Sequence, residues 1–344
     1  MTCEKVAVDA AVDTIVLPPD TPDGCYGSGI VTVCPDSPIT GNTQVSITTS
    51  TTLSTTTSPL CVPYHLPSGA PDRTYCVVAA KTVSISSTGR WTVNGTRPLV
   101  VVATMTMTID GTIDAASHRG GNTGPNADPV ACPVAGIPTD DAGGPGGSFG
   151  TVGGEGGAAA NNPKVLAGPS TPNPLALRGG CPGIDGNGGN AGEPGRGGGA
   201  LSLIASTLQI NGTINASGAS GIGAGLSAGG GGGGAGGMII LDAPAITVGT
   251  LARIFANGGG GGEGGGASNG GNDGDDSASP TAISVGGGGN AGAGGDGGDG
   301  AAGTTAATAG ENSDDSGGGG GGGAGVIRVF PSQTLAGSIS PPPS

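Results

Sequence analysis

The sequence predicts an all-β protein, a parallel β-solenoid of the right-handed β-helix-like kind, with Gly-rich polyglycine II-type arms inserted between its rungs. Three observations predict it. Short apolar runs alternate with polar residues and turn signals, and no segment has helical periodicity. A β-type unit with an Asn/Asp-Gly corner repeats along the chain. Between the units, glycine recurs at every third position.

Residues 1–80 form a Cys-containing, Thr/Ser/Pro-rich β region. Its strand-like runs are Thr14-Ile15-Val16-Leu17, Ile30-Val31-Thr32-Val33 and Val45-Ser46-Ile47-Thr48, punctuated by Pro35-Asp36 and Gly41-Asn42. The repeat starts at residue 81. Leu99–Ala103 leads through Met105, Met107 and Ile109 to Asp110-Gly111-Thr112-Ile113-Asp114. Leu201–Ala205 leads through Leu208 and Ile210 to Asn211-Gly212-Thr213-Ile214-Asn215. Met238–Ala243 leads to Ile254-Phe255-Ala256-Asn257-Gly258, and Val326–Phe330 to Ser338-Ile339. Trp91–Thr96 is a partial copy. Stacked in parallel, such units bury an aliphatic ladder that none could bury alone. The predicted rungs are 81–116, 200–218, 238–258 and 326–340; the predicted arms are 117–199, 219–237 and 259–325.

The arms keep strict phase. Gly144, Gly147 and Gly150 begin one triplet series. Gly180, Gly183, Gly186, Gly189, Gly192, Gly195 and Gly198 form a second, and Gly286, Gly289, Gly292 and Gly295 a third. Three residues per turn is the period of the polyproline-type helix, whose glycine edge lets neighbouring backbones pair. These glycines are therefore the expected structural residues, with Asn190 and its like pointing outward. The arms are expected to turn at 121–141, 158–178, 267–285 and 301–316, where variable exposed residues would carry binding.

Composition limits the function. With 79 Gly, 27 Pro and 2% aromatic residues in 344, a core of large side chains cannot extend over the whole chain. A net charge of −14 argues against nucleic acid or an anionic membrane as partner, and no apolar run is long enough to span a bilayer. Six of seven cysteines fall in the first 132 residues, at spacings unlike zinc sites, and read as disulfides of an oxidising compartment. Cys25 with Cys34, and Cys61 with Cys76, flank turn-rich excursions and are the expected local pairs; Cys181 stands apart in the Gly-rich part. Met1-Thr2-Cys3-Glu4-Lys5 has no apolar leader, so a leader removed from a secreted or outer-surface protein is expected.

No catalytic constellation is visible. His65 and His118 lack an attendant nucleophile, and Asp110 with Asp114 is explained by the repeated corner. No cofactor is expected. Asp273, Asp275, Asp276, Asp296, Asp299, Glu311, Asp314 and Asp315 offer calcium-type oxygens, with solvated charge the simpler reading. Asn94, Asn211 and Asn215 match the glycosylation sequon, but their Asn-Gly and corner settings make the match incidental. Thr104, Thr106 and Thr108 alternate with Met105, Met107 and Ile109 and would form one exposed row.

The order Gly95-Thr96-Arg97-Pro98-Leu99, Ile109–Ala115, Pro174–Gly180, Gly197–Leu201, Gly229–Gly237, Ala256–Gly260 and Gly325–Arg328 resembles the glycine-rich secreted proteins and lipoproteins of myxobacteria and related bacteria. The resemblance spans about residues 80–330 and implies an envelope or secreted location without a defined activity. The arms alone resemble polyglycine-helix proteins such as snow-flea antifreeze protein. Residues and resemblance together point to a non-catalytic surface protein with rigid arms and polar tips. Its expected partners are glycans, other surface proteins or copies of itself. A carbohydrate-active enzyme and an ice-binding protein are the alternatives.

Overall fold

The structure is a computed structural model and describes residues 24–40, 43–69, 71–160, 162–289 and 294–344. The run at 14–17, the turn at 41–42, Cys3 and Gly292 lie outside these residues.

Sixteen strands are present among the described residues. The first six are β1 (Cys34–Pro35), β2 (Gln44–Ile47), β3 (Ser50–Ser54), β4 (Val62–His65), β5 (Pro71–Ala80) and β6 (Thr82–Ile85). Next come β7 (Arg90–Asn94), β8 (Leu99–Ile109) and β9 (Thr112–Asp114), then β10 (Ala200–Ile210) and β11 (Thr213–Asn215). The last five are β12 (Met238–Asp242), β13 (Ala245–Val248), β14 (Arg253–Phe255), β15 (Val326–Phe330) and β16 (Ser338–Ser340).

The expectation of a parallel solenoid is corrected. The strands form two sheets, of ten and six strands, and the larger one mixes parallel with antiparallel pairs; no solenoid is assigned. The antiparallel part is β1–β4 and β4–β5. Its cause is local: two short disulfide-closed excursions, Cys25–Cys34 and Cys61–Cys76, turn the N-terminal chain back on itself. The smaller sheet, β16-β14-β11-β9-β7-β3, is parallel throughout. The long strands β8 and β10 shift register at Ala205/Thr207, so their first halves pair with β5 and β12 and their second halves with β6 and β13.

The main core lies between the sheets. Ile113, Ile214 and Ile254 are buried in register along the smaller sheet, continuing Trp91, and face Leu99, Val101, Leu201, Leu203 and Ile239. A second core covers the opposite face of the larger sheet. There Val100, Val102, Ile204 and Ile240 pack under Val31, Tyr64, Phe149 and Leu177.

The glycine tracts are neither strand nor α-helix. They are segments hydrogen-bonded laterally to one another. Residues 229–237 are buried throughout. Their N–H groups rotate through three neighbours: Gly229, Gly232 and Ala235 donate to Asn187, Ile184 and Cys181; Gly230, Gly233 and Gly236 to Gly317, Gly320 and Gly323; Gly231, Gly234 and Gly237 to Ile222, Ala219 and Ala216. Their carbonyls accept from three further segments, around residues 144–147, 192–198 and 259–262. A tract with six neighbours leaves almost no direction for a side chain; in 229–237 only Ala235 carries one, and it joins the second core. The tracts 256–265 and 317–325, also fully buried, are bonded in the same manner.

Tracts at the rim keep glycine only on the edge that meets a neighbour. Gly180, Gly183 and Gly186 donate to Gly198, Gly195 and Gly192, while Asn190, Glu193 and Arg196 are exposed. A Cβ at Gly144, Gly147, Gly150, Gly180, Gly183, Gly186, Gly192, Gly195, Gly198, Gly286 or Gly295 would fall on a backbone carbonyl of another segment. Gly189 is the exception, because a Cβ there meets nothing. The chain reverses at this point and leaves the packed tracts. The adjacent Gly188, at φ +117°, supplies the left-handed turn. Gly289 is likewise open, at φ +88°.

Candidate functional site

Among the described residues three disulfides occur: Cys25–Cys34, Cys61–Cys76 and Cys132–Cys181. The last joins residues 49 apart, and Cys181 is therefore not solitary. Nothing in the spacing marks that pair, because a long excursion and a glycine tract separate its halves. Three intrachain disulfides are consistent with an extracellular protein. No helix among the described residues is long and apolar enough to cross a membrane.

His65 forms an exposed pair with Asp36, Nδ1 to Oδ1 2.9 Å. The structure brings His118 into a denser cluster that sequence reasoning missed. Its Nε2 lies 3.1 Å from Asp114 Oδ2 and its Nδ1 3.7 Å from Asp276 Oδ2. Arg90 also pairs with Asp114, and Arg119 with Asp273 at 3.3 Å. Asp276 accepts from the backbone N–H of Arg119 and Ser220 and from the Ser220 hydroxyl.

The hydrogen bond to Asp114, then that to Asp276, raises the His118 pKa to about 9 against the opposing effect of burial. Burial works to raise the Asp114 and Asp276 carboxyls, but the His118 hydrogen bond and their other donors together hold both below the usual range. A protonated imidazole between two ionised carboxylates has no free base to offer near neutral pH. The cluster ties the segment after β9 to the tract at 273–276. Asp110 is separate from it, exposed and accepting from Asn211 at 2.8 Å.

The acidic residues of the C-terminal tracts are spread out. Asp299 accepts from the Gly286 N–H and Glu311 from the Asp296 N–H, each serving a tract edge. No group of three or more His, Cys, Asp or Glu among the described residues is placed to hold a metal. An open cleft of about 540 Å³ ends the sheets beside β15 and β16; it is lined by Val329, Phe330, Leu335, Ile339 and prolines, with no charged side chain.

Two surfaces stand out instead. The first is a pair of loops, 129–139 and 162–178. Cys132–Cys181 staples their base, Arg178 donates to the Ala131 carbonyl at 3.1 Å, and the Gly136 N–H donates to the Leu166 carbonyl at 2.9 Å. Arg178 also lies 4.9 Å over the Phe149 ring. From these loops Val130, Val134, Ile137, Leu166 and Leu175 project; Val134 is 89% and Ile137 84% exposed. The two loops contain no Asp or Glu.

The second surface is the outer face of the larger sheet where β2, β6, β8, β10 and β13 run side by side. Ser46, Ser84, Thr108, Gln209 and Thr247 stand in one continuous register row. Two residues earlier on each strand stand Gln44, Thr82, Thr106, Thr207 and Ala245. Between the rows Val83, Met107 and Leu208 point into the core, with Val45 and Ile246 packed against it. The motif polar-apolar-polar thus repeats on four strands, as Gln-Val-Ser, Thr-Val-Ser, Thr-Met-Thr and Thr-Leu-Gln, and β13 ends the face with Ala-Ile-Thr. Only the Thr106/Thr108 part is evident from one strand; the rest needs the register.

No family model, no curated protein and no solved structure matches the chain.

Proposed function

We propose that this is a non-catalytic extracellular structural and adhesive protein. On this reading the glycine tracts are a stiff mount and the stapled loops 129–139 and 162–178 the contact surface. The observation that carries the reading is the full exposure of aliphatic side chains on loops that are closed by a disulfide and hold seven prolines. Solvent-facing aliphatics clustered in this way mark interaction surfaces, and stiff loops lose little entropy when they bind. The His118 cluster, with every partner already engaged, supports adhesion over turnover.

Adhesion of protein-coated beads to bacterial envelopes, and self-association in solution, test the reading. Val134→Asp with Ile137→Asp is expected to abolish whichever contact the wild type makes, at an unchanged melting temperature. Unchanged adhesion in that variant would remove the loops from the function. Release of reducing ends from a polysaccharide panel, lost in Asp114→Asn, would establish an enzyme in its place.

A further inference from the structure

The outer face of β2, β6, β8, β10 and β13 is a second surface, independent of the loops. We propose that it binds the flat face of an uncharged, extended-chain polysaccharide. The argument begins with geometry. Adjacent strands lie about 4.8 Å apart and alternate residues of one strand about 6.7 Å apart. Five strands therefore present one polar row over roughly 19 Å and, on four of them, a second parallel to it over roughly 14 Å. The aliphatic residues between the rows are anchored in the core, so the rows are held from below.

The chemistry of the rows narrows the ligand. Apart from Ala245 at one end they carry hydroxyl and amide groups, and none of them is charged, in a chain whose net charge is −14. Lys81 and Asp110 stand outside them, at the ends of β6 and β8. An ionic polymer therefore finds no counter-charge, while a hydroxylated neutral one finds donors and acceptors at every position but Ala245. Apart from a 3.3 Å contact between Ser84 and Ser46, the side chains of Thr106, Thr108, Thr207 and Gln209 have no hydrogen-bond partner among the described residues. Threonine is stiff at χ1, so these hydroxyls are set in place before a ligand arrives.

Shape narrows it further. The rows form an open sheet face and not a concave pocket, which suits the packed surface of many extended chains better than one enclosed sugar. The face also carries Gln44 and Gln209. Their amides adapt to sugar hydroxyls, whereas matching a rigid water lattice calls for short, stiff side chains at every position. A polysaccharide surface is favoured over ice on that ground.

Sedimentation of the full chain with microcrystalline cellulose and with chitin particles tests the proposal. Retention on at least one is expected and should persist in 1 M salt, since no charge takes part. Thr106→Val with Thr207→Val keeps β-branched residues on the strands and should lower retention at least tenfold, with the melting temperature unchanged. Val134→Asp with Ile137→Asp should leave retention intact, which separates this face from the loops. The proposal is overturned if neither particle retains the protein, or if the valine pair binds like wild type. Retention that salt abolishes, or thermal hysteresis in ice that the valine pair removes, would also overturn it.

Discussion

The two sheets and the glycine tracts are both dry inside, but they are held together by different physics. Between the sheets, Ile113, Ile214, Ile254 and Leu203 bury hydrocarbon, each contributing about 1.5–3 kcal/mol from area removed from water. In the tracts almost nothing but backbone is buried. What holds residues 229–237 is that each N–H finds a carbonyl on a neighbouring segment. Glycine is the worst residue to order entropically, so the tracts are stable only because the lateral bonds are that dense. A sheet core absorbs a changed side chain by repacking; a tract with six neighbours has no slack at the positions where glycine faces a neighbouring carbonyl.

The largest effect is expected at the centre of the tracts. In Gly233→Ala the new Cβ falls on the Gly259 carbonyl, with Gly260 behind it. Forcing these segments apart strains the packing and leaves buried N–H groups unpaired. The expected loss is roughly 3–5 kcal/mol in urea unfolding. A loss under about 1 kcal/mol would mean that the tracts slide freely, and the contrast with the sheets would disappear.

Ile214→Ala comes next, at about 3 kcal/mol, from lost transfer energy and the cavity left beside Ile113 and Ile254. Ile214→Val should cost about 1 kcal/mol, since a sheet core tolerates a missing methyl. If the valine variant costs as much as alanine, the core is as intolerant as the tracts.

Removing Cys132–Cys181 by paired serine substitutions should cost about 2–4 kcal/mol, the upper end being what closure of a loop this long gives. It should also admit protease at 129–139. An unchanged digestion pattern would show that hydrogen bonds alone fix these loops.

The His118 cluster joins a sheet segment to a tract. The pKa of His118 is raised in the folded state, so its stabilisation is full below about pH 6.5 and lost as pH rises through about 9. Asp114 and Asp276 are depressed, so theirs is present above the usual carboxylate range and lost as pH falls through their lower folded values. A melting profile should decline by the equivalent of about 1–2 kcal/mol between pH 7 and 10, with solvent screening included. His118→Gln should flatten that limb, and a profile still declining in the variant would assign it to another group.

The smallest effect is expected at Gly189→Ala, within about 0.5 kcal/mol of wild type, because its Cβ meets only open space. Gly186→Ala, one triplet earlier, strikes the Gly229 carbonyl and should be markedly worse. Phase alone does not make a glycine essential; the neighbour it faces does.

Local chemistry is enough to read much of this from residues in order. Alternating runs such as Thr106-Met107-Thr108 mark strands, because side chains alternate between faces. Runs of unbroken glycine mark the tracts enclosed on all sides, and triplet series those packed along one edge, since each missing side chain reports a neighbouring backbone. Two cysteine pairs with separations of 9 and 15 lie close enough for the turns between them to bring them together. The rest needed partners distant in sequence. The antiparallel start of the larger sheet depends on how β4 returns to β5. Asp114 and Asp276 meet across His118 from 162 residues apart, Cys132 finds Cys181 across a long excursion and a glycine tract, and the Ser/Thr/Gln rows exist only once five strands share a register. Propensity and spacing act over a few residues. Which distant segments lie side by side is set by lateral hydrogen bonding and shared burial, and these exist only in the folded chain.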